Sequence, residues 1–325
     1  MEQTVLDVKN LTVSFHTEKG VITPVNSVWL RVPAGKIVGV VGESGCGKSM
    51  TARAVMGLVK FPGKVTGGEI LLDGRNIAAL PEKERRALRG AEISMIFQEP
   101  MTSLNPVVKV GRQVDEAVRL HTRCTRAEAK QKTLEMFREV EIPEPETRYN
   151  CYPHQLSGGL RQRVMIAMAM ICRPRLLIAD EPTTALDVTV EAQILKLLEK
   201  LRDSGTSVLL ISHNLGVIAR TCDEVSVMYA GRIVEHGETA ALFEKPLHPY
   251  TRGLLRSVAS LRAGGETLQT IPGVVPNLLH LPKGCAFSLR CDQCGADCEA
   301  NAPEFREIAP GHFARCFLAE KEGEE

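Results

Sequence analysis

The stretch Gly42-Glu43-Ser44-Gly45-Cys46-Gly47-Lys48-Ser49 constrains this chain more than any other. It has the spacing G-x-x-x-x-G-K-S, follows the apolar run Ile37-Val38-Gly39-Val40-Val41, and opens onto the helix-compatible Met50-Thr51-Ala52-Arg53. A buried strand, a glycine-rich loop and a helix start in that order make a cradle for a polyphosphate. Glycines let successive backbone N–H groups turn inward, and the helix contributes the positive end of its dipole. Lys48 supplies a mobile ammonium for the outer phosphates, and the Ser49 hydroxyl can ligate a Mg²⁺ that bridges two of their oxygens. The plainer alternative is a glycine turn without a ligand; the filled fixed positions and correct flanks weigh against it.

At 325 residues the chain has room for about two domains. A hydrophobic content of 44% and a charged content of 24% place it among ordinary globular proteins, and a net charge of +1 argues against a broad nucleic-acid footprint. The most apolar segment, Val164 to Ala179, is broken by Arg173, Pro174 and Arg175, so it falls short of the ~18 apolar residues of a spanning helix. Met1-Glu2-Gln3-Thr4-Val5 has no basic segment ahead of an apolar core, so no export signal is expected. The expected location is the cytoplasm, with membrane association only through partners.

Alternation over residues 4 to 15 predicts a strand, and Val25 to Val32 a second, before Pro33-Ala34-Gly35 turns the chain. Phe15 could stack on an adenine ring or serve as a core aromatic. Gly67 to Gly74 reads as a strand ending in a turn, Pro81 starts a helix, and Ile93 to Phe97 is a short strand ending at Gln98. Helices are predicted from Val110 to Leu120 and, behind the capping box Thr125-x-x-Glu128, to about Val140. Roughly residues 99 to 160 read as a helical insertion in an α/β core.

Leu156-Ser157-Gly158-Gly159 then feeds the helix-forming run Leu160 to Met170, a second potential anion site or simply a helix cap. Leu176 to Glu181 reads as a buried strand ending in two carboxylates. Side chains alternate along a strand, so Asp180 can orient the hydration shell of Mg²⁺ while Glu181 polarises a water for attack on a γ-phosphate. A helix from Val188 to Arg202 carries Ile194, Leu197, Leu198 and Leu201 on one face. His213 stands just past the buried strand Ser207 to Ser212, where ligands of parallel sheets sit. Val225 to Tyr229 and Arg232 to Glu235 read as a hairpin through Ala230-Gly231.

Taken jointly, residues from about 5 to 250 resemble the nucleotide-binding subunit of an ATP-binding-cassette (ABC) transporter. Gly42 to Ser49 is similar to its phosphate loop, Gln98 to its glutamine loop, and Leu156 to Gly159 to its signature sequence. Leu176 to Glu181 is similar to its second nucleotide-site strand, Ala185-Leu186-Asp187 to the following loop, and His213 to its switch histidine. The fold this implies is an α/β P-loop NTPase (RecA-like) core with a β subdomain and a helical subdomain. The ATP-binding domain would span residues 1–245, with a cysteine-rich C-terminal extension over 246–325. The resemblance further implies that ATP is held with Mg²⁺ between one chain's phosphate loop and the signature loop of a second ATPase subunit, so Ser157, Gly158 and Gly159 would act in trans. Gln98 and Asp180 would join Ser49 at Mg²⁺, Gln98 would also face the transmembrane partners, His213 would touch the γ-phosphate, and Phe15 would take the adenine-stacking position.

The C-terminal extension narrows the branch. His248-Pro249-Tyr250-Thr251, Gly253-Leu254-Leu255 and Ile271-Pro272-Gly273, followed by clustered cysteines, resemble the C-terminal region of ATPases serving dipeptide, oligopeptide and nickel importers. In that group four cysteines spaced like Cys285, Cys291, Cys298 and Cys316 hold a [4Fe–4S] cluster. Such a centre can staple a segment too poor in apolar residues to fold unaided. Cys294 makes a Cys291-x-x-Cys294 pair, which keeps a zinc site open, and cysteines that bind no metal are a third reading. The function implied is ATP hydrolysis driving import of di- and oligopeptides, from the cytoplasmic face of the membrane. The expected partners are a related second ATPase chain, two transmembrane permeases and, through them, a substrate-binding protein. Nickel or another small solute is an alternative cargo, and a soluble non-transport ABC ATPase or an iron–sulfur sensor are alternative roles.

Overall fold

The computed structural model describes residues 3–98, 103–184, 186–262 and 271–319. The chain divides into two compact units, the first formed by Met1–Val5, Pro33–Lys36 and Ala79–Leu209, the second by Leu6–Val32, Ile37–Ala78 and Leu210–Glu325.

The second unit holds an antiparallel sheet with strands in the order Gly20–Pro33, Thr4–Thr17, Gly63–Leu72, Arg75–Asn76. Sequence alternation places the first two strands correctly but misses an irregularity. Leu6 and Val8 are buried at even positions, whereas Leu11 and Val13 are buried at odd ones. The parity changes because the pairing with Gly63–Leu72 shifts register between Lys9 and Thr12, around Asn10 at φ 50°. The extra residue keeps the apolar set on one face.

A further set of strands carries the phosphate loop. Ile37–Val41 is buried throughout and runs parallel to Glu224–Tyr229, as a strand covered on both faces must be apolar along its length. Glu224–Tyr229 pairs antiparallel with Arg232–Glu238, joined by Ala230 at φ 43° and Gly231 at φ 86°, the left-handed pair of a tight hairpin. The C-terminal extension continues this sheet. His312–Ala314 pairs with Arg232–Glu238, and Arg306–Ala309 pairs with His312–Ala314. Glu235, fully buried in that sheet, accepts the backbone N–H groups of Leu247 (2.8 Å) and His248 (2.9 Å), and its Oε1 lies 2.8 Å from His312 Nε2. Burial pushes the His236 and His248 imidazoles down to about 4, so both are neutral at physiological pH.

In the first unit, Ile93–Ile96 and Leu176–Asp180 pair in parallel, and its helices among the described residues include Glu82–Leu88, Val110–His121, Arg126–Glu139, Pro145–Tyr149, Gly158–Met170 and Val188–Asp203. Both halves of the capping box form: Glu128 N–H donates to Thr125 Oγ1 at 3.2 Å, and Thr125 N–H donates to Glu128 Oε2 at 2.7 Å. The buried Arg163 guanidinium ties helices together by donating to the Val140 carbonyl (2.6 Å) and to Gln193 Oε1 (2.9 Å). Among the described residues no helix is long and apolar enough to cross a membrane.

Candidate functional site

The phosphate loop sits between the strand Ile37–Val41 and the helix Lys48–Val55. Its glycines are sterically required at two points. A Cβ on Gly42 would lie 2.1 Å from the Met228 carbonyl oxygen, and one on Gly47, at φ 112°, would lie 2.2 Å from that of Pro24. Backbone packed this closely leaves no room for a side chain. Lys48 is only 4% exposed, and its Nζ donates to the carbonyls of Gly42 (2.7 Å) and Glu43 (3.1 Å). Its ammonium is thus held folded onto the loop, where an arriving phosphate can exchange for the carbonyls. Burial raises the Cys46 thiol above its ordinary value, against the lowering influence of Lys48. Ser44 and Gly45 are exposed at the loop tip, and Ser49 is half-buried in the first turn of the helix. Thr51 Oγ1 donates back to the loop, to the Gly47 carbonyl at 3.0 Å.

In the same unit, Phe15 is partly exposed and pairs with Gly63, over which its ring lies. His213 is exposed one residue beyond the strand Ser207–Ser212. Asn214 caps the next helix, Leu215–Thr221, by accepting from Gly216 N–H at 2.9 Å.

In the first unit the strand Leu176–Asp180 is buried along its whole length, Asp180 included; it stops one residue short of the predicted Leu176 to Glu181, and Glu181, partly exposed, lies just past its end. Glu181 takes φ 48°, in the left-handed region that is rare for residues other than glycine, asparagine and aspartate. Such strain persists where surrounding contacts fix it, and it clusters at functional sites. Gln98 Nε2 donates to Glu181 Oε2 at 2.9 Å, and Thr184 Oγ1 donates to the same oxygen at 3.0 Å. Two residues singled out from sequence, 83 positions apart, are therefore in direct contact. Ser157 caps the helix Gly158–Met170, its hydroxyl accepting from Leu160 N–H at 3.4 Å, with Ser157 and Gly158 exposed. Leu186 and Asp187 follow, Asp187 capping Val188–Asp203, while Ala185 lies outside the described residues.

Cys285, Cys291, Cys298 and Cys316 all line one small cavity with Phe287, Pro303 and Leu318. Burial pushes the Cys285 thiol up to about 11, and the neighbouring Cys298, Cys316 and Cys291 add to the shift. Cys294 is not among the cavity's lining residues. Among the described residues no three His, Cys, Asp or Glu side chains stand close enough together to hold a single metal ion. Sequence reasoning missed Thr184, a partner of Glu181, and Arg290, which grips Glu43 of the phosphate loop. Nothing in the linear spacing marks either.

Residues 25–184 match the family model described as ABC transporter, and residues 234–298 match the oligopeptide/dipeptide transporter C-terminal region. The oligopeptide transport ATP-binding protein OppD of Escherichia coli is 52% identical over 313 residues, covering 96% of this chain and 92% of its own. The chain belongs to the ABC transporter ATP-binding proteins. The dipeptide transport ATP-binding protein DppD of the same organism is 45% identical over 312 residues, covering 96% of this ABC ATPase and 95% of its own length. A solved dimeric bacterial ABC transporter cassette, MJ0796, superposes with a TM-score of 0.66 at 29% identity, covering 72% of this chain and 98% of that one. The same cassette in a post-hydrolysis state bound to ADP and Pi superposes equally well, at 28% identity. The mixed α/β fold is thus that of an ABC ATPase.

Proposed function

We propose that this ABC ATPase hydrolyses ATP to drive import of di- and oligopeptides across the cytoplasmic membrane. One observation carries the reading: whole-length likeness to a peptide-transport ATP-binding protein, 52% identical across 96% of the chain. It favours peptides over nickel or another solute, and transport over a soluble role. Residues 1–245 act as the ATP-binding domain, with 99–160 as its helical subdomain, and 246–325 as the extension.

Gly42 to Lys48 cradle the phosphates of ATP and Phe15 carries the adenine. Ser49, Gln98 and Asp180 are the residues that would hold Mg²⁺, which would withdraw negative charge from the phosphates. Glu181 accepts the proton of the attacking water, with Gln98 and Thr184 fixing its orientation. His213, exposed past its strand, donates to the γ-phosphate. Ser157, Gly158 and Gly159 take the nucleotide of a second ATPase chain, and ATP closes the pair while hydrolysis reopens it. Two permeases and, through them, a substrate-binding protein complete the assembly at the cytoplasmic face. Reconstituted into vesicles with those subunits, the chain is expected to hydrolyse ATP faster when peptide is supplied. Stimulation by nickel alone would move it to the metal-importing relatives, and indifference to every solute would remove it from transport.

The same reading assigns Cys285, Cys291, Cys298 and Cys316 to a [4Fe–4S] cluster. Support comes from their shared cavity, lined also by apolar side chains. Held by those four thiolates, a cluster would supply a covalent staple for the extension. Chain purified without oxygen should contain iron and acid-labile sulfide in equal amounts, and Cys298→Ser should lose both. Stoichiometric zinc instead would overturn the assignment.

A further inference from the structure

We infer that Arg290 is a positioning residue for the phosphate loop: it neutralises and orients Glu43, and so ties the cysteine-bearing segment to nucleotide affinity. The inference rests on the ATPase reading above.

The Arg290 side chain is 3% exposed and grips the Glu43 carboxylate with both ends of its fork, Nη1 to Oε2 at 2.8 Å and Nη2 to Oε1 at 3.1 Å. Its remaining donors are used as well. Nε donates to the Pro272 carbonyl at 3.0 Å, Nη2 also to that of Ile271 at 3.3 Å, and Nη1 to the Tyr229 hydroxyl at 3.4 Å. The guanidinium also lies over the rings of Tyr229 and Phe287, at 5.8 and 5.9 Å. This is a built socket for a planar fork, which a lysine cannot reproduce.

Glu43 is held at two further points. Its N–H donates to the Tyr250 hydroxyl at 3.0 Å, and its carbonyl accepts from Lys48 at 3.1 Å. Two of its three holders, Tyr250 and Arg290, come from the C-terminal extension, 207 and 247 residues away. A carboxylate inside a loop that receives a triphosphate repels it unless an opposite charge offsets it. Arg290 is that charge. It stands in the turn Ser288–Arg290, directly before Cys291, and Ser288 N–H bonds back to the Cys285 carbonyl at 3.0 Å. The turn that aims Arg290 is therefore framed by two cysteines of the shared cavity.

The test is equilibrium binding of a fluorescent ATP analogue to the full chain and to Arg290→Gln, Glu43→Gln and the double variant, at low and high salt. Arg290→Gln should weaken binding about tenfold, the size expected when a partly buried charged group loses its partner. The loss should shrink with added salt, because it is electrostatic. The double variant should bind more tightly than Arg290→Gln and within about threefold of Glu43→Gln, since with the offending carboxylate gone the guanidinium has nothing left to offset. A salt-independent loss that Glu43→Gln does not rescue, or wild-type affinity in Arg290→Gln, overturns the inference. Should Arg290→Gln not fold, Arg290→Lys decides: intermediate affinity with rescue by Glu43→Gln supports it, and wild-type affinity overturns it. Failure of the unaltered chain to bind the analogue would instead count against the ATPase reading.

Discussion

Glu181→Gln should lower ATP turnover at least a hundredfold while leaving nucleotide binding intact. The glutamine keeps one carbonyl oxygen to accept from Gln98 and Thr184, so the hydrogen bonds that hold residue 181 survive. What disappears is basicity, and a positioned general base contributes about 10²–10⁴ in rate. With attack blocked and ATP still bridging two subunits, the closed pair should accumulate. Size-exclusion chromatography with ATP and the ATPase partner should show a stable pair that the unaltered protein forms only transiently. A variant hydrolysing ATP at the ordinary rate would refute the role given to Glu181.

Lys48→Ala should act on the other half of the cycle, weakening ATP binding roughly a hundredfold or more. Hydrogen bonds to a charged group contribute about 1.5–3 kcal/mol each, so an ammonium meeting two phosphate oxygens supplies about 3–6 kcal/mol, a factor of roughly 10²–10⁴ in affinity. The substitution also orphans the Gly42 and Glu43 carbonyls that now accept from Lys48 Nζ. Equilibrium dialysis with labelled ATP separates the two variants: Lys48→Ala loses affinity, Glu181→Gln loses turnover. Affinity within threefold of the unaltered chain would take Lys48 out of the phosphate site.

Local patterns were legible where a short stretch decides its own conformation. The capping box at Thr125 and Glu128 formed as its spacing requires, because a cap needs only residues three apart. The hairpin at Ala230-Gly231 was legible for the same reason, although its second strand runs on to Glu238. The bulge near Asn10 was not, since register depends on the facing strand. The extension read as a cysteine-rich appendage, yet His312–Ala314 and Arg306–Ala309 extend the sheet that carries the phosphate loop. Three-residue and four-residue strands are too short for alternation to show.

The sequence by itself determined which reactive residue types stand together: a glycine loop with Lys48 and Ser49, paired carboxylates at Asp180 and Glu181, and five cysteines near the end. Each is a local arrangement of residue types whose reactivity needs no knowledge of the fold. Only the tertiary structure decided which distant groups serve that chemistry, setting Gln98 against Glu181 and Arg290 against Glu43. Electrostatic and hydrogen-bonding forces act over a few ångströms of space and are indifferent to separation along the chain. A lone arginine in a loop therefore carries no signal until folding brings a carboxylate to meet it.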